Sequence, residues 1–143
     1  MDKIVVGMDG SPGSLGALRW AAEEARVHDA TLLVVAAWHP SAVSSLPAWG
    51  VAEPAEAALE TLRAGLAETL EAEGVGGQHG PAVESSVVEG HPAAALIESA
   101  TDADLLVVGS RGHGGFAGLV LGSVSQHVIN HATCPVVVVP ARP

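Results

Sequence analysis

Apolar runs recur five times along the chain, at residues 4–8, 31–37, 83–88, 105–108 and 136–139. Most are continuous rather than alternating. A strand with one wet face alternates apolar and polar residues, whereas a strand covered on both faces has no need to. These runs therefore predict strands of a parallel sheet with helices on both faces. The third run, VESSVV, is more mixed and suits an edge position.

Helical patterns separate the runs. Ser11 followed by Pro12 reads as an N-cap with proline at the first helical position. Leu15, Leu18, Ala22, Ala25 and Arg26 then follow at helical spacing. Residues 56–73 form a second helix, with Leu59, Leu62, Leu66 and Leu70 along one stripe. Residues 92–101 form a third and residues 123–131 a fourth, which Pro135 stops before the last strand. The order β-α-β-α-β-α-β-α-β predicts an α/β doubly wound five-stranded parallel sheet with right-handed crossovers. Residues 1–143 match the size of one domain, and no internal repeat divides them. Residues 39–54 are long for a βα connection and read as either a lid over the strand ends or a surface loop.

Composition narrows the function. Sixteen acids against six bases leave a formal net charge of −10. Nucleic acids and anionic membranes are bound through Lys and Arg, so both are excluded as partners. An anionic ligand would have to be held mainly by backbone dipoles. No stretch approaches the ~18 uninterrupted apolar residues of a membrane span, and the N-terminus lacks a signal-peptide pattern. A single cysteine, Cys134, leaves no internal disulfide and fits a cytoplasmic location.

In open α/β sheets, ligands bind beyond the carboxyl ends of the strands, where strand order reverses. Two strand-end segments stand out. One is Gly7-Met8-Asp9-Gly10-Ser11 and the other begins Gly109-Ser110-Arg111-Gly112. In the second, six of the fourteen residues at 109–122 are glycine, and Gly122-Ser123 opens a helix. Glycine lets a ligand approach the backbone closely. A helix N-terminus offers unpaired N–H groups and the positive end of the dipole, which suits phosphate. The hydroxyls of Ser123 and Ser125 and the Arg111 cation are further candidates. The segment matches neither the P-loop nor the dinucleotide-binding fingerprint. On its residues alone it reads as a phosphate cradle or as a flexible surface loop.

The spacing Gly109-x2-Gly112-x9-Gly122-Ser123 resembles the ATP-binding signature of the universal stress protein family. IVVGMDGS at the start, LRWAAEEA in the first helix and CPVVVVP at the end are similar to that family too. The resemblance covers nearly the whole chain. It implies strand order 3-2-1-4-5, which sets Asp9 beside Gly109. It also implies a nucleotide-dependent binding module that holds ATP or another adenine nucleotide, with magnesium. Asp9 would meet the ribose or the metal, and the backbone of Val35 or Ala36 would face adenine. Val108 and Gly109 would line the sugar and the phosphate entry. Gly112 would pass close to the phosphates, and Gly122, Ser123, Val124 and Ser125 would hold them. A two-fold homodimer through strand 136–139 is implied as well. No catalytic residue is assigned; slow ATP hydrolysis and binding of cyclic AMP or AMP are the alternative readings.

Other residues read as structural. His127 and His131 share a helix face but lack nearby Cys, Asp or Glu to complete a metal site. Trp20, Trp38 and Trp49 read as packing residues, and Cys134 as a buried thiol.

Overall fold

The computed structural model describes residues 1–38, 55–111 and 121–141. The elements are β1 (Lys3–Gly7), α1 (Pro12–His28), β2 (Thr31–Trp38), α2 (Ala55–Ala72), β3 (Val83–Glu89), α3 (Pro92–Ser99), β4 (Leu105–Gly109), α4 (Ser123–His131) and β5 (Val136–Val139). The strands form one sheet in the order β3-β2-β1-β4-β5, and every pairing is parallel. This is the expected doubly wound α/β sheet, with the mixed strand β3 at an edge. The segment at 39–54 and Gly112 lie outside the described residues.

The pleat divides the core into two layers. Ile4, Val6, Leu32, Val34, Leu105 and Val107 face Ala17, Leu18, Ala21 and Ala25 of α1 and Leu66 of α2. Val5, Val35, Leu106 and Val108 face Leu96 of α3 and Val128 of α4. Successive residues Ile4, Val5 and Val6 are all 0% exposed, because helices cover both faces of the central strand. That is why its sequence does not alternate.

Local signals set the ends of α1. The Ser14 N–H donates to Ser11 Oγ (3.2 Å), and Pro12 occupies the first turn. At the far end Asp29 adopts the left-handed conformation (φ 52°, ψ 40°) and its N–H turns back to the Ala25 and Arg26 carbonyls. Aspartate tolerates that conformation better than most residues.

Element ends shift by a residue or two from those expected, and one packing detail changes. β2 runs one residue further, to Trp38, and α3 ends at Ser99. The leucine stripe of α2 is only partly inward: Leu66 is 7% exposed but Leu62 is 39% exposed. The helix lies over edge strand β3, which gives it apolar surface to cover on one side only. A bidentate ion pair from Arg19 to Glu73 (2.6 and 3.0 Å) ties α1 to the residue just past α2. Trp38 is buried and Trp20 half-buried, as packing residues. Cys134 is half-buried, and burial, followed by the Asp104 charge, pushes its thiol pKa up. Among the described residues no helix is long and apolar enough to cross a membrane.

Candidate functional site

Strand order reverses between β1 and β4. The chain leaving β1 enters α1 on one face of the sheet, and the chain leaving β4 returns as α4 on the other. The two exits diverge, and a cleft of about 450 Å³ opens between them. That volume is in the usual range for small-molecule sites.

The first wall is the turn after β1, built from Met8, Asp9, Ser11 and Ser14. It is tightly cross-linked within itself. The Ser11 N–H donates to Asp9 Oδ1 (2.8 Å), and the Asp9 N–H donates to Ser14 Oγ (3.3 Å). The Ser14 hydroxyl donates to the Ser11 carbonyl (2.9 Å), with Met8 Sδ 3.1 Å away. Gly10 takes a positive φ of 81°, which lets the chain turn sharply into α1. Ser11 and Ser14 are buried, while the Asp9 carboxylate lies at the exposed rim.

The second wall is the end of β4 and the start of α4. Gly122 is the N-cap of α4 (φ −74°, ψ 165°), and among the described residues no side chain caps the helix. The Gln126 N–H makes the first intrahelical bond, to the Gly122 carbonyl (3.0 Å). The N–H groups of Ser123, Val124 and Ser125 precede it and belong to the turn that lines the cleft. Uncapped first-turn N–H groups are the physical basis of an anion site. The chain on either side of residues 112–120 is drawn together, since the Gly122 N–H donates to the Ser110 carbonyl (2.6 Å).

The walls meet main chain to main chain. A Cβ on Gly109 would lie 2.8 Å from the Gly13 carbonyl carbon and oxygen, and one on Gly13 would lie 2.4 Å from the Arg111 carbonyl oxygen. A Cβ on Gly7 would lie 2.8 Å from Leu96, which lines the α3 side of the cleft. Glycine at these positions is therefore a matter of space rather than of φ.

A universal stress protein family model matches residues 1–140. The chain belongs to the universal stress protein family. It is similar to a universal stress protein of Mycolicibacterium smegmatis, at 36% identity over 138 residues, which are 95% of this chain and 47% of that protein. It thus spans about half the length of the mycobacterial relatives it matches. A universal stress protein of Thermus aquaticus is 38% identical over 139 residues, covering 95% of this chain and 96% of that one. Among solved structures, a universal stress protein in complex with cAMP superimposes with a TM-score of 0.71 at 30% identity, covering 99% and 98% of the two chains. The Archaeoglobus fulgidus universal stress protein in complex with dAMP gives a TM-score of 0.66 at 26% identity, covering 96% and 97%.

The cleft of this universal stress protein gathers many of the residues expected from sequence. Asp9, Val35, Val108, Gly109, Arg111, Gly122, Ser123, Val124 and Ser125 all line it. Gly112 lies outside the described residues. Ala36 does not line the cleft: it packs in the layer under α1 and α2, and Ala37 lines the cleft instead. The hydrogen bonds explain this. The Met8 N–H donates to the Val35 carbonyl on the β1 side (2.9 Å), and the Gly90 N–H donates to the Trp38 carbonyl on the β3 side (2.7 Å). Polar groups alternate along a strand, so those of Ala37 point to the β1 side, past the end of β1. The Ser125 hydroxyl is also placed differently than expected. It donates to the Gly109 carbonyl (2.6 Å), with the Ser110 carbonyl at 3.2 Å, and so is committed within the protein. Sequence reasoning passed over Gly13, Ser14, Ala37, Pro92 and Leu96. Only the short spacing of Gly13 after Ser11-Pro12 hinted at a close approach.

Proposed function

We propose that this universal stress protein binds an adenine nucleotide, ATP, and works as a nucleotide-dependent binding module. One observation carries the reading. The uncapped first turn of α4 opens onto a cleft at the point where strand order reverses. In a chain of net charge −10, backbone dipoles are what can hold phosphates there. Arg111 is the only cation, and Asp9 the only acid, among the described residues of the lining. Adenine lies on the β2 side, where the backbone of Ala37 offers a donor and an acceptor, and the apolar Val35 and Val108 flank the ring and sugar. The complexes of relatives with cAMP and dAMP support the adenine part of the reading.

Magnesium fits as a partner of the phosphates. Among the described residues no three His, Cys, Asp or Glu side chains gather as a metal site. His127 and His131 only pack ring against ring, 4.5 Å apart. A magnesium ion keeps several waters and one or two carboxylates besides phosphate oxygens. Asp9 at the rim is the carboxylate placed to serve. Magnesium would neutralise the phosphate charge, and Asp9 would orient it.

Mass spectrometry of nucleotide released from the purified, denatured protein tests the reading, together with titration calorimetry against ATP, AMP and cyclic AMP. Tighter binding of ATP than of the monophosphates is expected. Preference for AMP or cyclic AMP would move the function to the second reading, which the complexes of relatives favour. Phosphate release that stops in Asp9→Ala would instead make the protein a slow ATPase. A homodimer through β5 is part of the proposal, since the strand is an edge with four half-buried valines. Sedimentation velocity tests it. A cytoplasmic location completes the reading, and cell fractionation tests it.

A further inference from the structure

Ser110 takes no part in the family resemblance, yet it makes four hydrogen bonds just behind the cleft. It is 7% exposed. Its N–H donates to the Val139 carbonyl (2.9 Å), and its Oγ accepts from the Ala141 N–H (3.2 Å). Its carbonyl accepts from the Gly122 N–H (2.6 Å) and lies 3.2 Å from the Ser125 hydroxyl. One side of the residue thus holds the end of β5 and the tail beyond it. The other side holds the N-cap and first turn of α4. Gly109 and Arg111, its neighbours in sequence, line the cleft.

We infer that Ser110 is a positioning residue that couples the phosphate seat to the end of edge strand β5. The inference rests on the nucleotide reading above. The Ser110 carbonyl places the first turn of α4 only as firmly as Ser110 itself is held. Its own position is fixed from behind by two bonds to β5 and its tail. Release of those bonds lets Ser110 and Gly122 shift together, so the first-turn N–H groups no longer converge with Gly109 on one anion. Adenine, which lies against β2, keeps its place. The coupling therefore acts on the polyphosphate end of the ligand. Anything that displaces the end of β5 reports to the phosphates by this route.

Ser110→Ala removes the acceptor for Ala141. Ala141→Pro removes the donor and leaves Ser110 intact, which guards against a folding defect caused by the buried alanine. Ser110→Thr retains the hydroxyl. Each full-length variant is titrated calorimetrically with ATP and with adenosine, and its fold is checked by circular dichroism. Ser110→Ala and Ala141→Pro are expected to weaken ATP about tenfold, as for one or two lost hydrogen bonds, and to change adenosine less than about twofold. Ser110→Thr should bind ATP like the wild type. Amide exchange in the ligand-free variants should quicken at Gly122 and Gln126, whose N–H groups are bonded to the Ser110 and Gly122 carbonyls. Equal losses for ATP and adenosine would overturn the inference, as would wild-type ATP affinity in both Ser110→Ala and Ala141→Pro. Either result leaves the nucleotide reading standing if the wild type binds ATP. A wild type that binds no adenine nucleotide overturns both.

Discussion

Three helices begin at the cleft, α1, α3 and α4, and the first and the last of them begin in opposite ways. α1 starts from a turn sealed by its own side chains: Ser11 caps it, Asp9 accepts the Ser11 N–H, and Pro12 brings no N–H at all. α4 starts from Gly122, which has no side chain to offer. α1 and α4 point positive ends at the same space, and of these two only α4 has no side-chain cap among the described residues. On the proposed reading the capped helix contributes shape and a carboxylate, and the uncapped helix contributes the anion site. Helix N-termini are equal in their dipoles and unequal in their caps; on the proposed reading the sealed cap keeps phosphate from α1 and the open one admits it at α4.

The contrast can be broken in order of severity. Gly13→Val should cost about 3 kcal/mol of stability, because it forces a side chain into the backbone of Arg111. Urea denaturation would reveal it, and an unchanged midpoint would show that the two walls do not touch as described. Gly122→Asp caps α4 as Ser11 caps α1, and a φ of −74° accepts any residue. It should leave the melting temperature unchanged or raise it while weakening ATP binding about a hundredfold or more, through competition for the N–H groups and charge repulsion. Survival of ATP affinity there would move the phosphates away from α4. Ser11→Ala is the reverse experiment. It should cost about 1 kcal/mol, seen as a melting temperature a few degrees lower, with little change in ATP affinity.

The smallest effect lies at the other end of the sheet. The Asp2 and Lys3 N–H groups donate to Asp104 Oδ2 (2.7 and 3.0 Å). Those bonds hold the Asp104 carboxyl below its ordinary pKa, and the Arg19 guanidinium does the same for Glu73. A carboxyl with a lowered pKa in the folded state adds stability above its unfolded pKa and loses it as pH falls through the folded value. Urea midpoints should therefore fall below about pH 4, and Asp104→Ala should flatten part of that slope. A midpoint that rises on acidification would contradict the assignment.

The fold was legible because burial on both faces leaves a trace in every central strand. IVVGM and LLVV can hardly be anything but covered strands, and strand β3, the mixed one, declared itself an edge. The uncapped helix start was legible as well, since Gly122-Ser123 is a local feature. What sequence could not show were contacts between distant segments. A uniformly apolar run such as TLLVVAAW does not reveal which residue faces which layer, so Val35, which lines the cleft, could not be told from Ala36, which packs in the other layer. Ser125 looked like a phosphate donor because its acceptor, Gly109, lies sixteen residues away in the chain. Gly13 drew no reading from sequence, although it is a contact surface.

That last contact has a consequence for how the cleft behaves. Where Gly13 meets Gly109 and Arg111, the junction of the two walls is peptide against peptide. Side chains adapt to a ligand by changing rotamer, and two touching main chains have no rotamers to change. The junction can only hold its dimensions or come apart. A ligand that fits there meets a gauge rather than a glove, and discrimination among ligands passes to the cleft's more yielding parts.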